Sequence, residues 1–326
     1  DDHGALRFTR EGAHSRPRIL FHEDITGHEI TQTLLNEVLR CENIELREHT
    51  TLLDFFADAS ACGGVIAAGP DGEPRAIGAG AVVLACGGIG GLYKNSTNFP
   101  HITGDAIAMA LRHGVACEHL DYIQIHPTTL YSHRKGRRFL ISESVRGEGA
   151  LLLDKNGNRF TNELQPRDVV SAAIRAQMEK DSTDHVWEDM RPIGEAAIRE
   201  HFPNILERCE EEGYDPIHEP IPVVPAQHYF MGGITADLSS RTALPRLYAC
   251  GETCCNGVHG RNRLASNSLL ESLVFAQRAA DDILYGEPPV FTGDKPDLAP
   301  YREQEPLFAA YRQEVLTAIE RSKNHE

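Results

Sequence analysis

The sequence predicts an α/β protein in which sheet-forming stretches enclose an inserted second domain, and three observations carry that expectation. The apolar run from Gly80 to Cys86, centred on Val82, Val83 and Leu84, stops at Gly87-Gly88. Strand character returns at Leu247 to Cys250 and is followed at once by Gly251-Glu252. Between the two, from Asp121 to about His228, the composition shifts toward polar and basic loops with several helices. A buried strand that ends on glycines is how an open parallel sheet lets its backbone approach a ligand at the carboxyl edge. An ordinary tight turn writes the same pattern.

Residues 26 to 40 read as a helix, because Ile30, Leu34, Leu35, Val38 and Leu39 recur on one face and Thr26 with Glu29 forms a capping box. Ile44 to Arg47 reads as a short strand, and Asp71-Gly72 as a turn between strand-like runs. A short helix opens at Asp105 and closes near Gly114; Asp105 is either its N-cap or a contact to the ribose or adenine side of a nucleotide. Pro166 to Lys180 and Ile193 to His201 read as helices of the inserted domain. Ser268 and Glu271 make a second capping box, opening an apolar helix with Leu269, Leu270, Leu273, Val274, Phe275, Ile283 and Leu284. From Pro288 the chain is Pro-rich, and Tyr301 to Arg321 reads as a last amphipathic helix.

With 326 residues, 41% of them apolar and 25% charged, the chain has the composition of a soluble globular protein. No apolar run approaches the roughly 20 residues of a membrane span. A net charge of -16 argues against nucleic acid as a partner, since phosphate binding needs clustered cations. An anionic substrate would need a locally basic pocket. The eight cysteines lack the even spacing of a disulfide scaffold, which fits a reducing cytosol. Only Cys250, Cys254 and Cys255 cluster, without the second half-site a metal would want, so packed or incidental thiols are expected. The chain opens on Asp1-Asp2-His3-Gly4 with no signal-peptide pattern and no Met, and is expected to lack its first part.

Five stretches combine Arg, His and hydroxyl side chains, the donors a dicarboxylate needs: Gln124 to Thr128, Ser142 to Gly149, Pro166 to Asp168, and a pair at Gln227 to Tyr229 and His259 to Ser268. Arg167 stands in the first turn of its helix, where the macrodipole disfavours a cation; it is functional or simply solvated. Arg263 lies just before a capped helix and either meets an anion or bonds loop carbonyls. His126 and His228 are candidate ligands or plain buried imidazoles.

These motifs resemble one family, the succinate dehydrogenase, fumarate reductase and L-aspartate oxidase flavoproteins. The matching stretches are Ala85-Cys86-Gly87-Gly88, Thr103-Gly104-Asp105, His126-Pro127-Thr128, Arg146-Gly147-Glu148-Gly149, Arg159-Phe160, Pro166-Arg167-Asp168, His228-Tyr229-Phe230-Met231-Gly232-Gly233, Cys250-Gly251-Glu252 and Asn262-Arg263-Leu264-Ala265-Ser266-Asn267-Ser268-Leu269-Leu270. They cover nearly the whole chain in one order. Pro225-Ala226-Gln227-His228-Tyr229, Ala265-Ser266, Leu130-Tyr131 and Thr9 to Ser15 look like the aspartate oxidase branch.

The resemblance implies an incomplete FAD-binding, Rossmann-like sheet in residues 1–120 and 230–295, an inserted α+β capping domain in 121–229, and the start of a C-terminal helical domain in 296–326. It implies FAD as cofactor, with Asp105 at the adenosine end, the backbone of Thr51 and Leu52 beside it, Glu252 on ribityl or ribose hydroxyls, and Ser268 and Leu269 at the isoalloxazine. L-Aspartate would be held through its carboxylates by His126, Ser142, His228 and Arg263, with Glu143 in support, while its Cα hydride passes to the flavin to give iminoaspartate. Arg167 matches the family arginine assigned to proton transfer; since guanidinium holds its proton to a pKa above roughly 12, orientation by charge is the other reading. Dioxygen or fumarate would reoxidise the flavin, and the product would feed quinolinate and NAD synthesis in the cytoplasm, with possible coupling to quinolinate synthase.

The family's GxGxxG turn and its βαβ unit do not occur near Asp1, so the chain alone is expected to hold FAD weakly or not at all. Arg261 stands where a small residue is usual. The rival expectations are a soluble fumarate reductase or succinate dehydrogenase flavoprotein, and a noncatalytic dicarboxylate-binding module.

Overall fold

The computed structural model describes Leu6, Phe8, Thr9 and residues 14–324. Of the oxidase-like stretch Thr9 to Ser15, positions 10–13 lie outside the described residues. The strands β1 (Phe8–Thr9) and β2 (Ile19–Leu20) pair antiparallel ahead of α1 (Thr26–Val38), no residue of which is buried. An antiparallel meander follows, β3 (Thr51–Ala57), β4 (Cys62–Ala68) and β5 (Pro74–Gly78), and then β6 (Val82–Leu84). Next come α2 (Asp105–Arg112), β7 (Cys117–Glu118), β8 (Ile123–Leu130), α3 (Glu143–Gly147), β9 (Leu151–Leu153), α4 (Arg167–Asp181) and β10 (Val186–Asp189). The chain continues through α5 (Glu195–His201), α6 (Pro203–Glu211), β11 (Ile221–Phe230), β12 (Gly233–Thr235), β13 (Leu247–Ala249) and β14 (Cys254–Cys255). It closes with α7 (Asn267–Tyr285) and α8 (Gln304–Lys323).

Two hydrophobic cores organise these elements. The first gathers Phe55, Leu84, Ile107, Met109, Phe230, Leu247 and Tyr311, from β3, β6, α2, β11, β13 and α8. β6 and β13 pair in parallel here, bringing together the two glycine-ended strands that lie far apart in sequence. α8 locks onto α2 through a forked ion pair, Arg112 to Glu314 at 2.7 Å, and the Tyr311 hydroxyl donates to the Leu53 carbonyl at 2.8 Å. Gly104 sits at φ 82° against Ile89 and Val315, where a side chain would both strain the backbone and collide.

The second core lies under the four-stranded sheet β8-β11-β10-β9 and gathers Leu130, Ile141, Val170, Ile174, Val186, Phe202 and Ile221. β11 lies inside this sheet, and its sequence reads accordingly as a near-continuous apolar run. It starts in the second core with Ile221 and Val223 and ends in the first with Phe230. β8 does the reverse, so these two paired strands tie the cores together.

Several local expectations need correction. Ile44 to Arg47 forms no strand; Ile44 and Leu46 are exposed, and Arg47 closes on Glu45 in a surface ion pair at 2.7 Å. Neither capping box forms. The Thr26 hydroxyl accepts from the His22 N–H ahead of the helix, and Ser268 lies inside α7, whose Glu271 accepts from Asn256 instead. Asp105 is the first helical residue rather than the N-cap, and accepts from the Thr103 hydroxyl at 2.8 Å. Ala299–Tyr301 is a separate 3₁₀ turn before α8.

Candidate active site

The junction of the cores is where the predicted cations meet. Pairing of β11 with β8 slips twice, between Val224 and Ala226 and between Gln227 and Tyr229. Pro225 falls in the first slip because it has no N–H to give the ladder. His228 falls in the second, and is the one residue of β11 that is not fully buried. A strap at 95–97 fills the broken ladder: Gln227 N–H donates to Asn95 O and Thr97 N–H to Gln227 O, both at 2.9 Å. The Thr97 hydroxyl then lies 2.9 Å from His228 Nδ1 and fixes the ring.

His126, opposite Ala226 on β8, is fully buried, with its ring 5.2 Å from that of His228. Its Nδ1 lies 3.0 Å from the Thr128 carbonyl, while Nε2 is buried without a hydrogen-bond partner. An unpartnered buried imidazole nitrogen is costly unless a ligand meets it. Burial, and after it the Arg167 guanidinium, holds both imidazoles well below their ordinary pKa, so they are neutral at pH 7.

Arg167, at the start of α4, donates through Nε to Glu143 Oε2 at 2.6 Å, with Nη2 at 2.5 Å from the same oxygen. That carboxylate offsets the unfavourable helix-terminus position. Ser142 places it by capping α3, its oxygen accepting from the Ser144 N–H. Arg167 Nη1 donates to Gln124 Oε1 at 2.9 Å, and Gln124 Nε2 donates to the Arg263 carbonyl at 2.8 Å. One carboxamide thus spaces the two arginines. The Arg263 guanidinium stacks 4.5 Å over the Tyr229 ring and donates to the Ser268 hydroxyl at 3.0 Å.

Deeper in the second core, Arg146 stands 3.8 Å from Glu143 and donates to the Glu163 carbonyl at 2.7 Å. Glu188 is fully buried there, with no hydrogen-bond partner for either oxygen. Burial pushes its pKa up to about 8 against the opposing pull of Arg146.

The structure therefore brings His126, His228, Arg167, Arg263, Glu143 and Ser268 into one constellation. Gln124, Thr97 and Tyr229 join it without having been given roles in the sequence; Gln124 and Tyr229 stood inside noticed motifs, whereas Thr97, like the deeper Glu188, carried no signal. His14 also reaches this region, its Nε2 3.2 Å from the Ala265 carbonyl. Neutral imidazoles beside two guanidinium groups suit a small ligand with two anionic ends. The cavity of about 300 Å³ lined by Arg241, Arg246, Tyr248 and Asp282 shares no residue with this constellation.

The carboxyl edge of β6 and β13 forms a second, adjoining feature. A Cβ on Gly88 would stand 2.9 Å from the Glu252 carboxyl carbon, and Gly251 turns at φ 67°. Burial raises the Glu252 pKa to about 7, and its Oε1 accepts from the Phe230 N–H at 2.9 Å. Asp105, its pKa also raised by burial, stands near Cys86, whose thiol is pushed up by burial and further by the Asp105 carboxylate. A glycine cradle with acceptors at the ends of parallel strands fits the hydroxyl-rich chain of a dinucleotide. Thr51 and Leu52 open β3, paired with Ala68 and Ala67 in the meander. Leu269, half-buried in the first turn of α7, follows Ser268.

The profile of the FAD binding domain family matches residues 1–269. An L-aspartate oxidase of Clostridium perfringens is 50% identical over 284 residues, covering 87% of this chain and 64% of that one. An L-aspartate oxidase of Nostoc sp. is 45% identical and covers 97% of this chain and 58% of its own length. Among solved structures, a variant FrdA of the E. coli quinol fumarate reductase superposes with a TM-score of 0.80 at 32% identity, over 96% of this chain and 56% of that one. The chain thus spans somewhat under two thirds of the length of these curated relatives. Among the described residues no helix is long and apolar enough to cross a membrane, and no group of three His, Cys, Asp or Glu side chains could hold a metal ion.

Proposed function

Because the chain belongs to the FAD binding domain family, among flavoproteins that include L-aspartate oxidases and fumarate reductases, we propose that it serves the oxidation of L-aspartate to iminoaspartate. What supports this reading is the pairing of the His126 and His228 rings, the unpartnered Nε2 of His126, and the Gln124 carboxamide that links Arg167 to the Arg263 backbone. FAD, when bound, supplies the two-electron acceptor. Glu252, Asp105 and the backbone at Gly88 and Gly251 would hold its hydroxyl-rich parts, and Ser268 with Leu269 would meet its ring.

In this reading Arg263 and the two neutral histidines bind the substrate carboxylates. Arg263 is preset by the Tyr229 ring and the Ser268 hydroxyl, so little motion is needed on binding. Arg167, pinned by Glu143 and Gln124, orients the acid by its charge and offers donors to the developing imine side. Residues 121–229 act as the cap that excludes water, which is why the site sits on the strands shared by both cores. Residues 1–120 and 230–295 form the cofactor side, and 296–326 begin a helical part. Dioxygen or fumarate would take the electrons, and iminoaspartate would pass to quinolinate and NAD synthesis, coupled to a quinolinate synthase in the cytoplasm.

The test is turnover of the FAD-loaded chain. Hydrogen peroxide release with L-aspartate and none with succinate is expected. Oxidation of succinate in preference to aspartate would favour the fumarate reductase-like reading suggested by the structural likeness. Dicarboxylate binding with no turnover of either would favour a binding module.

A further inference from the structure

Immediately after β8, which carries His126, the chain makes an excursion that returns at Phe139, whose carbonyl accepts from the Leu130 N–H at 2.9 Å. Its tip, residues 133–138, reads His-Arg-Lys-Gly-Arg-Arg: four cations in six positions of a chain whose net charge is -16. Composition alone would call this a solvated loop. The hydrogen bonds say otherwise, because they tie it to the strap that holds His228.

Arg138 N–H donates to Ser96 O at 2.7 Å, and Arg138 Nε donates to Asn95 Oδ1 at 3.0 Å. The guanidinium also bonds the Ser132 carbonyl. Ser96 donates onward to Gln227 Oε1 at 2.7 Å, and the next strap residue, Thr97, fixes His228. Arg137 lies 5.0 Å over the ring of Phe99, two residues beyond the strap, and its charge is felt at His228. Gly136 permits the tight return at φ 118°. Arg134 is the loop cation that finds an acidic partner, Glu212 at 3.4 Å; Lys135 and Arg137 have no ion pair among the described residues.

We propose that the loop from Ser132 to Arg138 is an electrostatic collar at the mouth of the dicarboxylate site, concentrating ligands there in proportion to their negative charge. This rests on the proposed function, since it presumes a dicarboxylate site. A cleft lined with one sign of charge raises the local concentration of counter-charged ligand, and the effect fades as salt screens it. In a strongly acidic protein such a collar counters a field that otherwise repels the substrate.

The experiment compares the parent chain with the K135Q/R137Q double variant. Affinities for fumarate and L-aspartate are measured by titration calorimetry at low and high ionic strength, and kcat/KM is measured alongside on FAD-loaded protein. At low salt the variant should bind fumarate about fivefold more weakly and L-aspartate, with half the net charge, about twofold more weakly. At roughly 0.3 M salt the two proteins should converge, with kcat unchanged throughout. Identical salt dependence in parent and variant overturns the collar and leaves the proposed function standing. Equal losses for both ligands at all salt concentrations also overturn it, since that marks a structural contact. A parent chain that binds neither acid at any salt overturns the proposed function and the collar together.

Discussion

Arg167 with Glu143 and Arg199 with Glu195 are two Arg–Glu pairs at similar separations, 2.5 and 2.9 Å, in opposite surroundings. The first leaves 9% and 7% of its side chains exposed; the second, one turn apart along α5, leaves 54% and 57%. On the surface, water and salt screen the attraction, and such pairs contribute at most about 1 kcal/mol. In the interior the attraction first has to offset two desolvations, so a buried pair is weak evidence for stability. It is strong evidence that a charge is wanted at one spot. The difference locates the chemistry: Arg167 and Arg263 are buried beside the strands that run between the cores, whereas Arg199 stays on the surface of α5.

The largest expected effect breaks the buried member. Arg167→Ala should lower the unfolding free energy by about 3 kcal/mol, because the buried Glu143 loses its short ion pair and keeps only the longer contact to Arg146 at 3.8 Å. Arg167→Lys, which keeps the charge and loses the planar fork, should fold and lose about 10²–10³ in kcat/KM. Denaturant titration and aspartate turnover check the two variants. An Ala variant as stable as the parent would erase the distinction drawn above.

Next in size is the spacer between the arginines. Gln124→Leu removes the acceptor for Arg167 and the donor to the Arg263 carbonyl, and should cost about 1–3 kcal/mol of stability and about tenfold in kcat/KM. Denaturant titration and turnover again provide the readout. A loss of stability with unchanged turnover would mean that the spacing of the two guanidinium groups is immaterial.

Glu188 sharpens the comparison through pH. Its folded pKa of about 8 lies above the ordinary carboxyl value, so the folded state keeps a proton that the unfolded state releases. Stability is therefore full below the unfolded pKa of about 4.5 and falls as pH rises toward 8, by at most about 1.4 kcal/mol per pH unit. Glu252, raised to about 7, adds a limb of the same sign. His126 and His228 act oppositely: their depressed pKa values remove stability as pH falls below 6.5. Glu188→Gln should make the alkaline limb shallower, leaving the part due to Glu252, and leave the acid limb intact, as read from melting temperatures between pH 5 and 9. An unchanged alkaline limb would place Glu188 outside the balance.

The smallest effect belongs to the surface pair. Arg199→Ala should change stability by about 0.5 kcal/mol or less and leave turnover alone.

Much of this was legible in the sequence, and the remainder has one physical cause. His126, His228, Arg167 and Arg263 could be singled out because each lies near a proline or a helix start, where a polar side chain is not explained by the local structure. The glycine-ended strands at Val82 and Leu247 read either as a ligand edge or as tight turns, and the structure pairs them in parallel. Thr97 and His228 are 131 residues apart, and Gln124 and Arg263 are 139 apart. No local pattern encodes such partners. Glu188 sits in an ordinary-looking Val-Trp-Glu-Asp run, and only its register against Leu152 and Ile221 buries it. Both capping boxes failed because their side chains found other partners: Thr26 accepts from the His22 N–H and Glu29 from the Thr33 hydroxyl, while Glu271 accepts from Asn256 and Ser268 from Arg263.

The central claim, that imidazoles on the shared strands and the guanidinium groups beside them jointly grip a small diacid, is tested most directly by a crystal structure of the chain with fumarate bound. Density bridging His126 Nε2, His228 and the Arg263 guanidinium, with Arg167 alongside, is the expected result. Fumarate lodged instead in the cavity beside Arg241 and Arg246, with His126 Nε2 still unmet, would contradict it.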